Sequence, residues 1–201
     1  MKINMIHAIG GFDALAETLD SGFGVRPDYY VMVNFSGFTH AIDRLGGIDV
    51  QVGQSLSDRC DLPQEPDGQC DVEPGIVHMD GPTALWYARS RYSSSDYDRL
   101  RRAQEVVQAG FERLLHLEAL ANLPALYDEL SNDLETNVSV GDVVPLVPVA
   151  LRLLQEPYRI ERFVINDAHA TPSWSWDGMW ILLPDYDAIR ALLDEAGIIQ
   201  P

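Results

Sequence analysis

Apolar residues in this chain switch between helical and strand-like spacing along its first half. After Gly10-Gly11, the positions Phe12, Leu15, Ala16 and Leu19 fall on one helical face, and Gly22 and Gly24 end that helix. Tyr29 to Phe35 (YYVMVNF) is a run of β-formers and reads as a buried strand. Ser36 is placed to cap a second helix carrying Phe38, Ala41, Ile42 and Leu45, with Gly46 as its stop. Ile48 to Val52 reads as the next strand. Two strands around one short helix predict an α/β unit with a right-handed crossover.

Residues 53–80 read as one long polar loop, of a length that is usually functional or braced. Pro82 suits the first position of a third helix that runs through Ala84, Leu85 and Ala88 towards Arg91. Ser93-Ser94-Ser95 breaks it. A long helix follows from Asp96 or Asp98 to Leu120, with Leu100, Val107, Phe111, Leu114 and Leu115 as its apolar stripe. Further helices are predicted over Pro124 to Leu134 and Val140 to Leu154. Strands are predicted over Tyr158 to Ile165 and Met179 to Leu183, and a closing helix from Asp185 or Tyr186 to Ala196. No repeat or linker divides the 201 residues, so the expectation is a single α/β domain over 1–201.

Composition adds ordinary globular values, 46% apolar and 22% charged residues, and excludes a disordered chain. Charge adds more. Fourteen basic residues stand against 31 acidic ones, a net charge of −17. Such a chain repels nucleic acid and anionic lipid surfaces, so no nucleic-acid partner is expected. Thirteen of the 14 basic residues are arginine, and Arg89, Arg91, Arg99, Arg101 and Arg102 fall within 14 consecutive positions. A local positive spot in an acidic chain suits a small anion. No apolar run reaches the length of a membrane span: Val143 to Leu154 is broken by Pro145, Pro148 and Arg152. No signal peptide is visible. Cys60 and Cys70 bracket a polar, turn-rich loop, where a pair reads more simply as a disulfide than as two buried thiols. A disulfide places the protein outside a reducing cytosol.

The arginine cluster has a definite chemistry. Arg89 and Arg91 lie at the end of one predicted helix, beside a serine-rich turn. Arg99 and Arg102 are three apart on the next helix and are expected to share a face. That helix begins at the turn, so its first N–H groups point the same way. Guanidinium forks grip phosphate oxygens in pairs, and together these groups suit a pyrophosphate. The competing reading is that the arginines pair with surface carboxylates.

These residues stand within a longer pattern. Lys2-Ile-Asn4 with Gly10-Gly11, Tyr30-Val-Met-Val-Asn-Phe-Ser-Gly-Phe38, Asp43-Arg-Leu-Gly-Gly-Ile-Asp-Val50, and Leu85 to Arg91 with Asp96, Arg99 and Arg102 occur in order over residues 1–108. The chain resembles the LytR–CpsA–Psr family of bacterial cell-wall glycopolymer transferases. The resemblance implies an α/β/α sandwich with a central mixed β-sheet. It implies a phosphotransferase that moves a glycan phosphate from a polyprenyl-pyrophosphate carrier to peptidoglycan. Arg89 and Arg91 would then be catalytic and grip the pyrophosphate; Arg99 and Arg102 would support it, Asp96 would orient them, and Gln104 would be a secondary contact. Magnesium would accompany the pyrophosphate, and the lipid tail would lie in an apolar tunnel. The implied location is extracytoplasmic, in the cell envelope, with a membrane anchor in the full-length protein. Two departures from the family pattern stand out. Ala103 occupies a position where the family carries glutamine. The acidic "SD" strand and the "IPRD" segment that supply the metal-linked aspartate and a further arginine do not occur in these residues, so the domain reads as N-terminally truncated and the metal's ligands as lying outside this chain. The other-class alternative is a non-catalytic module that binds a lipid pyrophosphate or a wall glycan.

Trp174, Trp176 and Trp180 cluster around a turn, where aromatic faces stack on sugar rings in some proteins. The simpler expectation is a loop that folds its aromatics onto the core. The five histidines show no metal-ligand spacing, and Asp61, Asp67 and Asp71 read as a solvated acidic loop.

Overall fold

The computed structural model describes residues 3–91, 95–115, 127–128, 134–156, 161 and 163–199. They form two compact units, one from residues 1–30 with 160–201 and one from residues 31–159. The class is α/β. Among the described residues the strands form two-stranded antiparallel ladders.

In the first unit, α1 (Ile6–Phe23) is broken at Gly11, whose φ of 67° and ψ of −162° are outside helical space. The helix expected after Gly10-Gly11 is the part beyond this break, and the turn before it was not expected. Gly24, at φ 75°, caps the helix and donates to Asp20 O. A hairpin of β7 (Ala170–Trp174) and β8 (Trp180–Pro184) leads into α7 (Tyr186–Glu195), capped by Asp185. Tyr186 packs on Phe23 with ring centroids 5.6 Å apart, and Arg190 donates to Gly22 O at 3.1 Å, tying α7 to α1. The strand predicted over Tyr158 to Ile165 lies partly outside the described residues, and residues 163–166 join no ladder.

The second unit holds the arginine cluster. Its β1 (Val31–Val33) pairs with β6 (Leu134–Thr136), whereas β2 (Ile48–Val52) pairs with β5 (Gly75–Met79). The strands on either side of α2 (Phe35–Arg44) therefore belong to different ladders and do not form the parallel crossover unit read from the sequence. β1 is also shorter than the run Tyr29 to Phe35. The cause is Asn34: its side chain accepts from Gly37 N at 2.8 Å and starts α2 two residues earlier than a Ser36 cap would.

The predicted loop over 53–80 contains three strands. β3 (Leu56–Arg59) and β4 (Gln69–Val72) form a hairpin closed by a Cys60–Cys70 disulfide with Cα atoms 5.8 Å apart. β5 follows and pairs with β2. Two helices complete the unit's core, α3 (Gly81–Arg89) and α4 (Asp96–Leu114). Asp80, with its carboxylate accepting from Thr83 N, caps α3, which begins at Gly81, one residue ahead of the Pro82 start expected. Ile42, Ile48, Val50, Val52, Leu56, Val72, Met79, Ala84, Tyr87, Val106 and Ala109 form one buried cluster between α2, α3, α4 and the two ladders. α2 and α3 approach closely at Gly81, where a Cβ would lie 2.2 Å from Thr39 O; only glycine fits there.

The buried face of α4 is not the stripe the apolar pattern predicts. Val107 is 70% exposed, Leu100 and Phe111 are exposed as well, and the buried positions are Arg102, Glu105, Val106 and Ala109. Two charged residues sit on that face because each has partners inside. The helix runs to Leu114, and residues 116–126, which include its expected last turn, lie outside the described residues. The helix predicted over Pro124 to Leu134 also falls outside them, apart from helical Tyr127 and Asp128, and Leu134 opens β6 instead. Further on, Pro145 and Pro148 split the single helix expected over Val140 to Leu154 into α5 (Val140–Val143), a 3-10 turn (Val144–Leu146) and α6 (Val147–Gln155). No helix of the described residues is long and apolar enough to cross a membrane.

Candidate functional site

The chain leaves α3 at Ser90, whose φ of −54° and ψ of 138° turn the backbone out of the helix. That turn is held from two sides. The Ser90 hydroxyl donates to the carboxylate of Asp58, which is buried on β3. From α4, Arg102 Nε donates to Tyr87 O at 2.9 Å, and its Nη2 donates to Ser90 O. Arg102 is 1% exposed, and burial lowers its pKa, although the guanidinium remains charged at any physiological pH. The sequence reading placed Arg102 among the groups supporting the ligand. Its burial against two carbonyls makes it a group that holds the turn instead.

A second buried cluster lies beside the first. Tyr87, fully buried, donates its hydroxyl to Glu105 Oε2 at 2.6 Å, and Arg101 Nη1 donates to Glu105 Oε1 at 2.5 Å. Burial first, then the hydrogen bond and charge of Glu105, hold the Tyr87 phenol far above its usual range, so it stays protonated. Burial pulls Arg101 down, but its hydrogen bond to Glu105 and that group's charge leave it raised overall. Arg101 is thus engaged by Glu105. The i, i+4 spacing of Arg101 and Glu105 was a legible sign of this pair; the tyrosine between them was not.

With Arg101 and Arg102 turned inward, three cations face outward around the turn. Arg89 and Arg91 are exposed on either side of buried Ser90. Arg91 Nη2 lies 2.8 Å from Asp96 Oδ1, and Arg99 Nε lies 3.5 Å from the same oxygen. Asp96 therefore links Arg91 to Arg99, whereas the pair expected to be oriented by it was Arg99 and Arg102. Arg89 is placed differently: among the described residues no carboxylate pairs with it, and its guanidinium lies over the Phe35 ring, 3.8 Å from the centroid. Surface carboxylates hence account for Arg91 and Arg99 in part, through one shared aspartate, and do not account for Arg89. Arg99 and Arg102 do not share an environment; one is half-exposed and the other buried. Gln104 is half-buried on α4 and is not a member of this chain of ion pairs.

The start of α4 is also occupied. Ser95 and Asp98 form a reciprocal cap, with Asp98 N donating to Ser95 Oγ at 3.1 Å and Ser95 N to Asp98 Oδ2 at 3.0 Å. The Ser95 hydroxyl, followed by its backbone N–H, lowers the Asp98 pKa. The helix N-terminus thus already carries its own anion, and attraction for an external one falls to the guanidinium groups. Three residues that sequence reasoning passed over now belong to the site: Phe35, Asp58 and Ser90. In the sequence Phe35 ends a run of β-formers and Asp58 falls in a polar stretch, so neither signals a site.

A magnesium ion does not fit the carboxylates around this turn. Asp96 is bridged to two guanidiniums, Asp98 caps α4, and Asp58 is bound to Ser90. Among the described residues no group of three His, Cys, Asp or Glu side chains is arranged to hold a metal. The tryptophans are not folded onto a core either. Trp174 and Trp180 form a cross-strand pair in the β7–β8 hairpin at 70% and 48% exposure, and Trp176 at its tip is 98% exposed.

Comparison with known proteins places the chain. The LytR_cpsA_psr family model matches residues 1–196, and the chain belongs to that family. It is 29% identical over 147 residues to the polyisoprenyl-teichoic acid–peptidoglycan teichoic acid transferase TagV of Bacillus subtilis (strain 168), covering 72% of this chain and 37% of that protein. It is 31% identical over 140 residues to the regulatory protein MsrR of Staphylococcus aureus (strain COL), covering 68% and 40% respectively. The chain thus spans about two fifths of the length of these relatives. Its fold matches the crystal structure of B. subtilis TagV with a TM-score of 0.78 at 24% identity, over 100% of this chain and 76% of that one. It also matches TagT bound to LIIa-WTA, with a TM-score of 0.67 at 22% identity over 98% and 72%.

Proposed function

We propose that this member of the LytR–CpsA–Psr family is a phosphotransferase domain that moves a glycopolymer phosphate from a polyprenyl-pyrophosphate carrier to a hydroxyl of peptidoglycan. The observation that carries the reading is the set of outward-facing cations, Arg89, Arg91 and Arg99, on a turn whose backbone is fixed by Arg102 and Asp58. An acceptor hydroxyl oxygen attacks the phosphorus that bears the glycan. The bond from that phosphorus to the bridging oxygen breaks, polyprenyl phosphate leaves with the electron pair, and the hydroxyl proton passes to solvent. Negative charge grows on the departing phosphate, and in this reading Arg89 and Arg91 neutralise it. Asp96, bound to Arg91 and Arg99, orients the two arginines rather than taking the proton. Any magnesium ion that accompanies the pyrophosphate is held by groups other than the carboxylates of this turn.

The relative TagV carries a teichoic acid–peptidoglycan transferase name, and transfer of this kind takes place in the cell envelope. The Cys60–Cys70 disulfide suits that oxidising location. The alternative, a non-catalytic module that binds a lipid pyrophosphate or wall glycan, draws on the absence of a fitting metal donor set among the described residues. Turnover separates the two. Incubated with a polyprenyl-pyrophosphate-linked glycan and peptidoglycan, the transferase releases polyprenyl phosphate, and Arg91→Ala abolishes the release. A protein that binds the donor in an Arg91-dependent way but releases nothing is the module.

A further inference from the structure

We infer that Phe35 is a positioning residue for the anion site, its ring holding the Arg89 guanidinium in a fixed plane before any ligand arrives; this rests on reading the arginine turn as the pyrophosphate site. Arg89 sits at the last position of α3, exposed, with no described carboxylate to direct it. A long side chain in that setting samples many rotamers and must give up that freedom when it grips an anion. The Phe35 ring restricts it. The guanidinium carbon stands 3.8 Å from the ring centroid, within the range where the negative face of the ring attracts a cation. A ring in that place restricts the guanidinium from one side, and a guanidinium lying flat on it would keep its in-plane N–H donors free for two phosphate oxygens.

Packing into the core does not explain the ring. Phe35 is 57% exposed, although it is a large apolar residue at the first position of a helix. Its place is nevertheless firmly set. Asn34 caps the helix immediately before it, and α2 is locked to α3 where Gly81 N donates to Asp43 Oδ1 at 2.7 Å beside the close approach to Thr39. The ring thus stands on one helix and its cation on the next, and the contact between those helices has no slack at Gly81.

The test is a calorimetric titration of the full chain with inorganic pyrophosphate at low salt, using wild type, Phe35→Leu, Phe35→Trp, Arg89→Ala and the Phe35→Leu/Arg89→Ala double variant. Phe35→Leu keeps bulk and removes the π-face, and is expected to weaken binding between about twofold and fivefold. Phe35→Trp is expected to keep wild-type affinity or improve on it. In the Arg89→Ala background, Phe35→Leu is expected to have no further effect, an outcome that a merely structural role would not produce. Thermal melts confirm that each variant folds. Wild-type affinity in Phe35→Leu, or equal losses in the Leu and Trp variants, overturns the inference while leaving the site in place if Arg89→Ala still weakens binding. Unchanged affinity in Arg89→Ala overturns both the inference and the site.

Discussion

Arg102 is the residue on which the site turns, and it never reaches the surface. Five arginines in 14 positions look interchangeable in the sequence, but Arg102 is buried, Arg101 is half-buried on Glu105, and the other three are more open, and the difference lies in what each guanidinium touches. Arg102 satisfies two carbonyls at the end of α3, an arrangement that needs a planar fork. Arg102→Lys is therefore expected to lower stability by about 2 kcal/mol, since a single ammonium leaves one buried carbonyl without its partner. Pyrophosphate affinity should fall with it. Urea denaturation and a pyrophosphate titration check the two effects separately. Asp98 gives a pH-dependent counterpart. Its carboxyl is held below its usual range by the Ser95 hydroxyl, so the charged form favours the folded state. That contribution is present above the unfolded value near pH 4 and is lost as pH falls through the lower folded value. Asp98→Asn should cost under about 1 kcal/mol at neutral pH, since the group is near the surface. The difference from wild type should fade in acid, as followed by denaturation at pH 7 and pH 3.

At the scale of elements, the hairpin β3–β4 braces the turn from the side opposite α4. Asp58 of β3 holds Ser90, Trp86 Nε1 donates to Arg59 O at 2.9 Å, and the disulfide closes the hairpin immediately beyond. Reduction of Cys60–Cys70 is expected to lower stability by about 3 kcal/mol in the chain-entropy model. It should also weaken pyrophosphate binding by loosening the Asp58 side of the turn. Denaturation with and without reductant, with thiol alkylation to confirm the redox state, measures the first, and titration measures the second. This hairpin is also where sequence reading failed. Its strands are four residues each, and the inward side of β3 carries Asp58 as well as Leu56, which spoils the apolar alternation. The same cause misled the reading of α4, where Arg102 and Glu105 face the core and Leu100, Val107 and Phe111 face out. Where burial followed hydrophobicity the sequence was clear: Ile48–Val52 is the strand expected, with alternate residues buried, and α7 begins at Tyr186 as expected. Buried polar groups were illegible because their partners come from distant positions, 32 residues apart for Asp58 and Ser90.

For the whole molecule, the charge distribution sets the function apart from its surroundings. In a chain of net charge −17, Arg89, Arg91 and Arg99 gather at one turn, so a small anion finds a local attraction there. The order of the family motifs along residues 1–108 is what suggests a pyrophosphate at this turn. What the motifs did not separate is exposure from support: Arg89 and Arg91 are exposed, and contact the ligand in the function proposed above, while Arg102 holds the backbone of the turn. The most direct measurement of this account is a titration of wild type and the Arg89→Ala/Arg91→Ala double variant with geranyl pyrophosphate, followed by phosphorus NMR. Each charged hydrogen bond to the ligand is worth roughly 1.5–3 kcal/mol. The double variant, with its fold intact by thermal melt, is therefore predicted to bind at least about a hundredfold more weakly. Equal affinity in the two proteins would contradict the account.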